Sequence, residues 1–189
     1  MNRRLDQDLH DTVAALPFQH WEGHVWRTHW SRLAATDWSP SLRSTGRYHH
    51  AGDRFSEGPT WPALYTSLAP QIAVWETVHR SVTRNVRHLE NQQLTGLEIA
   101  ASSVFDFRNP AVLGLTREDL TGPNPEIPWL LAQVAVEQGA GGILVPSAAL
   151  QGDNLVLFPS TCRAFSPFAS SAVRLCLLIF PQVKADRGW

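Results

Sequence analysis

The segment Gly141-Gly142-Ile143-Leu144-Val145-Pro146-Ser147 is followed, after a short polar stretch, by Asn154-Leu155-Val156-Leu157-Phe158. Each segment contains a run of aliphatic side chains, and each run is bounded by glycine, proline or asparagine. Short apolar runs between such turn-forming residues are typical of strands that are buried on both faces. The two segments therefore predict two core strands, at Ile143–Val145 and at Leu155–Phe158.

An amphipathic helix is predicted immediately before these strands. Asn124-Pro125 supplies a start signal, and Gly139 with Gly141-Gly142 supplies the end. One face of this helix is apolar and consists of Ile127, Leu130, Leu131, Val134 and Ala135. A shorter helical turn is predicted upstream, at Thr116–Leu120.

The middle of the chain predicts two strands and a second helix. Alternation within Leu94–Phe107 favours a strand, and Ala63–Thr66 reads as a shorter one. Between them, a helix is predicted from Pro70 to about His88, with Ser67 as its N-cap. Its apolar positions recur at helical spacing: Ile72, Ala73, Trp75, Val78, Val82 and Val86.

The two ends of the chain complete the fold prediction. Residues up to Ala15 form a helix or a loose arm, Trp21–Trp61 predicts short strands joined by long loops, and Val173–Phe180 predicts a last strand. Strands and helices follow one another without regular βαβ alternation, which indicates an α+β fold with mixed or antiparallel sheets and flanking helices. We expect an N-terminal arm or helix at 1–20, one domain at 21–183 and a tail at 184–189.

Composition limits the function classes. The 189 residues are 43% hydrophobic and 17% charged with a formal net charge of −1, which argues against binding to nucleic-acid backbone. Lys184 is the only lysine, so almost every cation is an arginine, whose planar fork suits phosphate. Cys162 and Cys176 are expected to be free buried thiols. No apolar leader or membrane-length run occurs, which predicts a cytoplasmic protein without membrane contact.

Three competing functions start from other residues. The first is a metal site formed by His20, His24, His29, His49 and His50, although no HExxH or CxxC spacing occurs and we expect no bound metal. The second is a non-catalytic binding module, which the eight tryptophans suggest. The third is nucleic-acid binding by the stripe Arg80, Arg84 and Arg87, although such a stripe is usually a solvated helix face. No Gly-x-Gly-x-x-Gly or P-loop pattern is present, so no Rossmann-type cofactor site is predicted.

Several segments resemble the RES domain and occur in the same order. They are Trp26-Arg27, Gly46-Arg47-Tyr48-His49, Ala63-Leu64-Tyr65-Thr66-Ser67, Ala73-Val74-Trp75-Glu76 and the stretch Trp129–Phe158. The resemblance covers roughly residues 24 to 180. Two departures concern substrate contacts, since Tyr48 and His49 stand where tryptophan and asparagine are more usual in the family.

The resemblance implies a fold similar to ADP-ribosyltransferase toxins and an enzyme that cleaves the nicotinamide–ribose bond of NAD+. The reaction is hydrolysis or phosphorolysis, with ADP-ribosylation of a protein target as an alternative and a non-catalytic RES-fold binding module as another. NAD+ is then a substrate, inorganic phosphate a candidate co-substrate, and no resident cofactor is implied. Family members are toxins of type II toxin–antitoxin pairs, which implies an Xre-like antitoxin as partner and allows a homodimer.

The resemblance also assigns the site residues. Glu76, Arg47 and Ser147 are the implied catalytic residues, and the implied NAD+-binding residues are Arg27, Arg47, Tyr48, Tyr65 and Ser147. Chemistry agrees with a carboxylate in this set: nicotinamide leaves as a neutral molecule, and the positive character that develops at the ribose C1′ is stabilised by a nearby carboxylate. Each residue also has a structural explanation, such as a surface ion pair between Glu76 and Arg80.

Overall fold

The computed structural model describes residues 3–52, 59–81, 86–159 and 168–174. Cys162, Cys176, Arg84, the predicted tail and the part of the predicted last strand beyond Arg174 lie outside these residues, so the expectations for them stay predictions. Within the described part of the chain, no helix is long and apolar enough to cross a membrane.

The described elements follow the α+β order that the sequence predicts. They are α1 (Arg3–Ala14), β1 (Gln19–Trp30), β2 (Leu64–Ser67), α2 (Pro70–Arg80), β3 (Gln92–Asp106), α3 (Arg117–Thr121), α4 (Glu126–Glu137), β4 (Gly142–Pro146), β5 (Asp153–Leu157) and β6 (Phe168–Arg174). Three 3-10 turns lie at Ser39–Leu42, Val86–Leu89 and Pro110–Leu113.

The strands pair in the order β1-β2-β5-β4-β3-β6, and β1 pairs a second time with β3. The parallel pair is β3–β4, and the other pairs are antiparallel. Strand β3 is long enough to pair with two strands along one edge: residues 92–101 pair with β1, and residues 104–106 pair with β4. On the other side, β1 meets β2 through the residue pair Trp26↔Ser67, which brings the middle of β1 against the end of β2.

Strand β4 and residues Leu155–Leu157 of β5 are apolar because both faces of the strand pair are covered. Ile143 and Val145 point into a core beneath α1 and α4, whereas Leu144 points into a second core with Val25 of β1 and Leu97 of β3. Every residue of β4 is buried. Burial of one such aliphatic side chain contributes about 1.5–3 kcal/mol, so this pair is the centre of the fold. A third, smaller core lies under α2 and contains Ala73, Val74, Val78, Leu89 and Leu94.

The predicted α+β class, the flanking helices and the four strands at the middle and end of the described chain are confirmed. One difference concerns Trp21–Trp61, where a single 12-residue strand, β1, begins the region instead of several short strands. Its inward positions include Gly23, Arg27 and His29, so the usual apolar alternation is absent from the sequence.

The helix predicted at 70–88 begins at Pro70 as predicted, but its predicted C-terminal end and its predicted N-cap were wrong. The helix ends at Arg80, because Ser81 takes an extended backbone conformation and bonds the carbonyl of Val78 with both its N–H and its hydroxyl. Arg80 and Arg87 therefore do not share a helix face. At the start, Ala69 occupies the N-cap position, and Ser67 lies in β2 with its hydroxyl directed to Asn154.

Gly142 provides a test of the β4–β5 contact. A Cβ atom at this position would lie 2.8 Å from the carbonyl oxygen of Val156 and 3.2 Å from a Leu157 methyl group. Gly142→Ala should therefore overpack the strand pair and lower the free energy of unfolding by about 1–3 kcal/mol, as measured by urea denaturation. Gly23→Ala is the matched control in β1, where the added Cβ meets only ordinary contacts at 3.5 Å. Equal stability of the two variants would contradict this packing.

Candidate active site

A cavity of about 530 Å³ lies where β1, β2 and α2 meet. The segment 44–49, the start of α4 and the ends of β4 and β5 complete its wall. Five of the six residues predicted for the site line this cavity, namely Arg27, Arg47, Tyr48, Tyr65 and Glu76, and the sixth, Ser147, lies directly behind Glu76. Residues up to 120 positions apart in sequence are thus brought together by the closure of the sheet.

The carboxylate of Glu76 is held by one of its two oxygens. Oε1 accepts hydrogen bonds from the Ser147 hydroxyl at 2.7 Å, from the Asn154 side-chain amide at 2.7 Å and from the backbone N–H of Ala148 at 3.1 Å. Among the described residues, none donates to Oε2. Three donors on one oxygen fix the orientation of the carboxylate, and the second oxygen remains available to a molecule in the cavity.

Asn154 is fixed in turn by the sheet. It is the direct cross-strand partner of Ser67 in the β2–β5 pair, and the Ser67 hydroxyl donates to its side-chain oxygen at 2.7 Å. Because that oxygen accepts from Ser67, the amide nitrogen must face Glu76. Both polar side chains are buried. The sequence analysis did not include Asn154 or Ser67 among the site residues.

Ser147 has partners that differ from those expected of a substrate-binding hydroxyl. Its hydrogen is donated to Glu76, and its oxygen accepts from the backbone N–H groups of Ala149 at 3.1 Å and Leu150 at 3.3 Å. The Ser147 carbonyl accepts from Arg117 at 2.9 Å. The turn between β4 and β5 is therefore tied to α2 and to α3 at once, and the Ser147 side chain serves Glu76.

Arg47 lies on the opposite wall. One of its terminal nitrogens donates to the carbonyls of Gly122, at 2.6 Å, and Leu120, at 3.2 Å, at the C-terminal end of α3. The neighbouring Gly46 has no room for a side chain, since a Cβ atom there would collide with the His49 ring and lie 3.0 Å from the Tyr65 hydroxyl. The Gly46 carbonyl also accepts from the indole N–H of Trp129 at 2.6 Å. These contacts hold the arginine-bearing segment against the site.

Tyr65 is fixed by a short chain of hydrogen bonds. His49 must carry its proton on Nε2, because Nε2 lies 2.7 Å from the Ser44 carbonyl, which can only accept. Its Nδ1 then accepts from the Tyr65 hydroxyl at 2.9 Å, and that hydroxyl accepts from the backbone N–H of Tyr48 at 2.9 Å. Burial raises the pKa of Tyr65 to about 12 and lowers the pKa of His49, so both groups are neutral near pH 7.

Tyr48 and Arg27 also have structural partners. The Tyr48 side chain is buried, its hydroxyl donates to the Leu120 carbonyl at 3.2 Å, and burial raises its pKa. Arg27 donates to the carbonyls of Ala35 at 2.6 Å and Asp37 at 2.7 Å, which fastens the loop after β1. Burial, together with the charge of Arg80, lowers the pKa of Arg27 to about 10, so the guanidinium remains charged.

Arg80 does not form the ion pair with Glu76 that was considered as a structural explanation. Its guanidinium lies over the Tyr65 ring, 5.2 Å from the centroid, and its Nε approaches the Glu76 backbone carbonyl at 3.4 Å. A cation over an aromatic face is a favourable contact. Arg80 also lines the cavity. The sequence indicated Arg80 only as part of a basic stripe and as a surface ion-pair partner of Glu76.

The histidines considered as metal ligands have separate partners and do not form one cluster. His20 and His24 lie in β1 beside Glu22 and Glu98, whereas His29 is buried against Thr95 and His49 serves Tyr65. No group of three or more His, Cys, Asp or Glu side chains is suitably placed for a metal among the residues that the structure describes. Two tryptophans are prominently exposed in the described chain, Trp30 and Trp38.

Comparison with known proteins agrees with this architecture. A family model described as the RES domain matches residues 24–179. The chain also superposes on a chain of the crystal structure of the M. tuberculosis MbcT-MbcA toxin-antitoxin complex with a TM-score of 0.77, at 20% identity, over 90% of this chain and 93% of that chain. At this identity the likeness concerns the fold. None of the curated proteins matches.

The family match runs from the middle of β1 to beyond β6 and so includes the whole cavity with Arg27, Arg47, Tyr65, Glu76 and Ser147. The match therefore covers much more than half of the sequence. The segments that resemble the family contribute the residues that the fold brings together at the cavity. This chain belongs to the RES domain family.

Proposed function

We propose that this protein cleaves the nicotinamide–ribose bond of NAD+ and transfers the ADP-ribosyl group to water or inorganic phosphate. The observation that carries the proposal is the Glu76 carboxylate, which is anchored through Oε1 and lines a cavity of about 530 Å³. A pocket of this size lies within the range of small-molecule sites. Its lining also includes Arg27, Arg47 and Arg80, which suits a ligand with a pyrophosphate.

The chemistry needs few groups. The C1′–N bond breaks, its electron pair leaves with nicotinamide, and the pyridinium becomes neutral, so the leaving group requires no proton. Positive character grows at C1′ and is stabilised by the fixed negative charge of Glu76. The acceptor oxygen then bonds to C1′ and releases its proton to solvent, which yields ADP-ribose from water or its 1″-phosphate from phosphate.

Each remaining residue of the site orients this step. Ser147 and Asn154 hold Glu76, and Tyr65, held by His49, forms a rigid aromatic wall beside it. Arg27 contributes a fixed positive charge more than an open fork, because both of its terminal nitrogens already donate to carbonyls. In this family context we further propose that the protein is the toxin of a toxin–antitoxin pair and binds a cognate antitoxin.

Replacement of Glu76 tests the reaction. Glu76→Gln keeps an acceptor oxygen for Ser147, Ala148 and Asn154 but removes the charge, so we expect kcat to fall by about 10²- to 10³-fold with an unchanged melting temperature. Product formation from NAD+, with and without phosphate, is followed by phosphorus and proton NMR. Glu137→Gln, at the end of α4, is the matched control.

A growth assay in bacteria gives a second readout: expression of the wild type should arrest growth, and expression of Glu76→Gln should not. Nicotinamide release by Glu76→Gln at the wild-type rate would refute the assigned role of the carboxylate. Release of no nicotinamide by the wild type under any of these conditions would refute the proposed reaction.

The Ser67–Asn154 pair offers a second test. Asn154→Ala removes one of the three donors to Oε1 and leaves the Ser67 hydroxyl without its partner. The carboxylate then loses a fixed orientation, so kcat should fall at least about tenfold while KM for NAD+ changes little, because a positional loss acts on the transition state. Steady-state kinetics provides the measurement.

Ser103→Ala serves as the control for loss of a partly buried hydrogen bond. The Ser103 hydroxyl, on β3 and outside the lining of the cavity, accepts from the backbone N–H of Gly141. A rise in KM without a fall in kcat for Asn154→Ala would contradict the positioning role.

Arg47 is tested by Arg47→Lys. A lysine can still donate to the Gly122 carbonyl, but it lacks the planar fork that a guanidinium offers to a phosphate in the cavity that Arg47 lines. We expect KM for NAD+ to rise about tenfold with a smaller change in kcat, as determined by initial-rate kinetics. If KM is unchanged, Arg47 serves only to hold α3.

A further inference from the structure

A second cavity, of about 310 Å³, adjoins the first. The two cavities share four lining residues, which are Arg27, Thr28, Thr77 and Arg80. The rest of the second wall comes from the end of β1, the loop that follows it and the residues after α2: His29, Trp30, Leu33, Pro40, Ser81 and Gln92. One bound molecule can therefore extend from Glu76 past Arg80 into this second space.

The second cavity favours an anion. Its described lining contains two arginines, three hydroxyl side chains and one amide, and no carboxylate. The negative charge of Asp37 favours the charged form of Arg27, but this carboxylate also accepts a hydrogen bond from the backbone N–H of Ser39 at 2.8 Å. The guanidinium groups of Arg27 and Arg80 thus repel one another at the junction, and this repulsion contributes to the lowered pKa of Arg27. A bound phosphate group would relieve it.

Arg80 is the cation best placed to meet that phosphate. Its side chain is exposed, its guanidinium is steadied by the Tyr65 ring, and its terminal nitrogens donate to no other residue in the described chain. Arg80 follows Glu76 by one helical turn, which is about 6 Å along the axis. Arg80 therefore lies one turn beyond the carboxylate and borders the second cavity, which Glu76 does not line.

The far side of the second cavity is apolar. Trp30, Leu33 and Pro40 lie there, and Trp30 is 41% exposed, with the Arg32 guanidinium over its ring at 5.8 Å from the centroid. Arginine and hydroxyl groups at one end and an indole ring at the other suit a phosphate joined to a flat heterocycle. The cavity is also much larger than a single phosphate ion requires.

We propose that the second cavity binds the AMP half of the dinucleotide, with Arg80 at the junction on its phosphate and Trp30 against its base. This proposal rests on the proposed function, since it assumes that the scissile bond lies beside Glu76 in the first cavity. It adds the part of the substrate that lies beyond the pyrophosphate, and it assigns roles to Arg80 and Trp30.

The test compares NAD+ with nicotinamide mononucleotide, which has the same scissile bond and lacks the AMP half. Trp30→Ala should lower kcat/KM for NAD+ by about tenfold and change kcat/KM for nicotinamide mononucleotide by less than about twofold. Arg80→Gln should lower kcat/KM for NAD+ by a larger factor than kcat/KM for nicotinamide mononucleotide. The matched controls are Arg43→Gln and Trp38→Ala, whose side chains are exposed and line neither cavity. An equal fall for both substrates, or no fall for NAD+, would overturn the proposal.

Calorimetric binding of AMP separates this proposal from the proposed function, because it requires no turnover. The Glu76→Gln protein should bind AMP, and addition of Trp30→Ala to it should weaken binding about tenfold, whereas addition of Trp38→Ala should not. If the wild type cleaves NAD+ and AMP binding ignores Trp30, the second cavity is not the AMP site. If AMP binds as expected and the wild type releases no nicotinamide, the proposed reaction fails and the nucleotide site stands.

Discussion

Three hydrogen bonds to one oxygen of Glu76 hold the site together. The donors come from the β4–β5 turn and from β5, while Glu76 itself lies on α2, so this single atom joins a helix to the central strand pair. A half-buried carboxylate is tolerated because its donors replace water. The Glu76 carboxylate lines the cavity with the other site residues, and its second oxygen accepts no hydrogen bond from the described residues.

The three arginines that line the cavity, Arg27, Arg47 and Arg80, differ in how their guanidinium groups are held. Arg27 and Arg47 use part of their donor capacity on carbonyls that terminate loops and α3, which fixes the positions of these charges. Arg80 uses an aromatic ring for support and keeps its terminal nitrogens exposed. The like charges of Arg27 and Arg80 repel one another, and binding of the anionic substrate that we propose would relieve this repulsion. Such repulsion is common where a site is built for a charged ligand.

Trp61 and His49, together with Trp129, have a structural role that the sequence could not reveal. The indole N–H groups of Trp61 and Trp129 donate to the carbonyls of Tyr48 and Gly46, and His49 links the same segment to Tyr65. A loop without regular secondary structure needs such side-chain partners for its backbone groups. Composition alone suggested a recognition surface or a metal site, because residue types do not state which atoms they meet.

The sequence by itself determined the local elements and the family. Aliphatic runs predicted β4 and β5, helical spacing predicted α2 and α4, and the order of segments carried the resemblance that placed Glu76 and Ser147 in one site. Tertiary structure alone decided where α2 ends, that Ser67 faces Asn154 across β2 and β5, and that Arg80 turns to Tyr65. Local propensity acts over a few residues, whereas strand register and side-chain partners depend on how distant segments close the sheet.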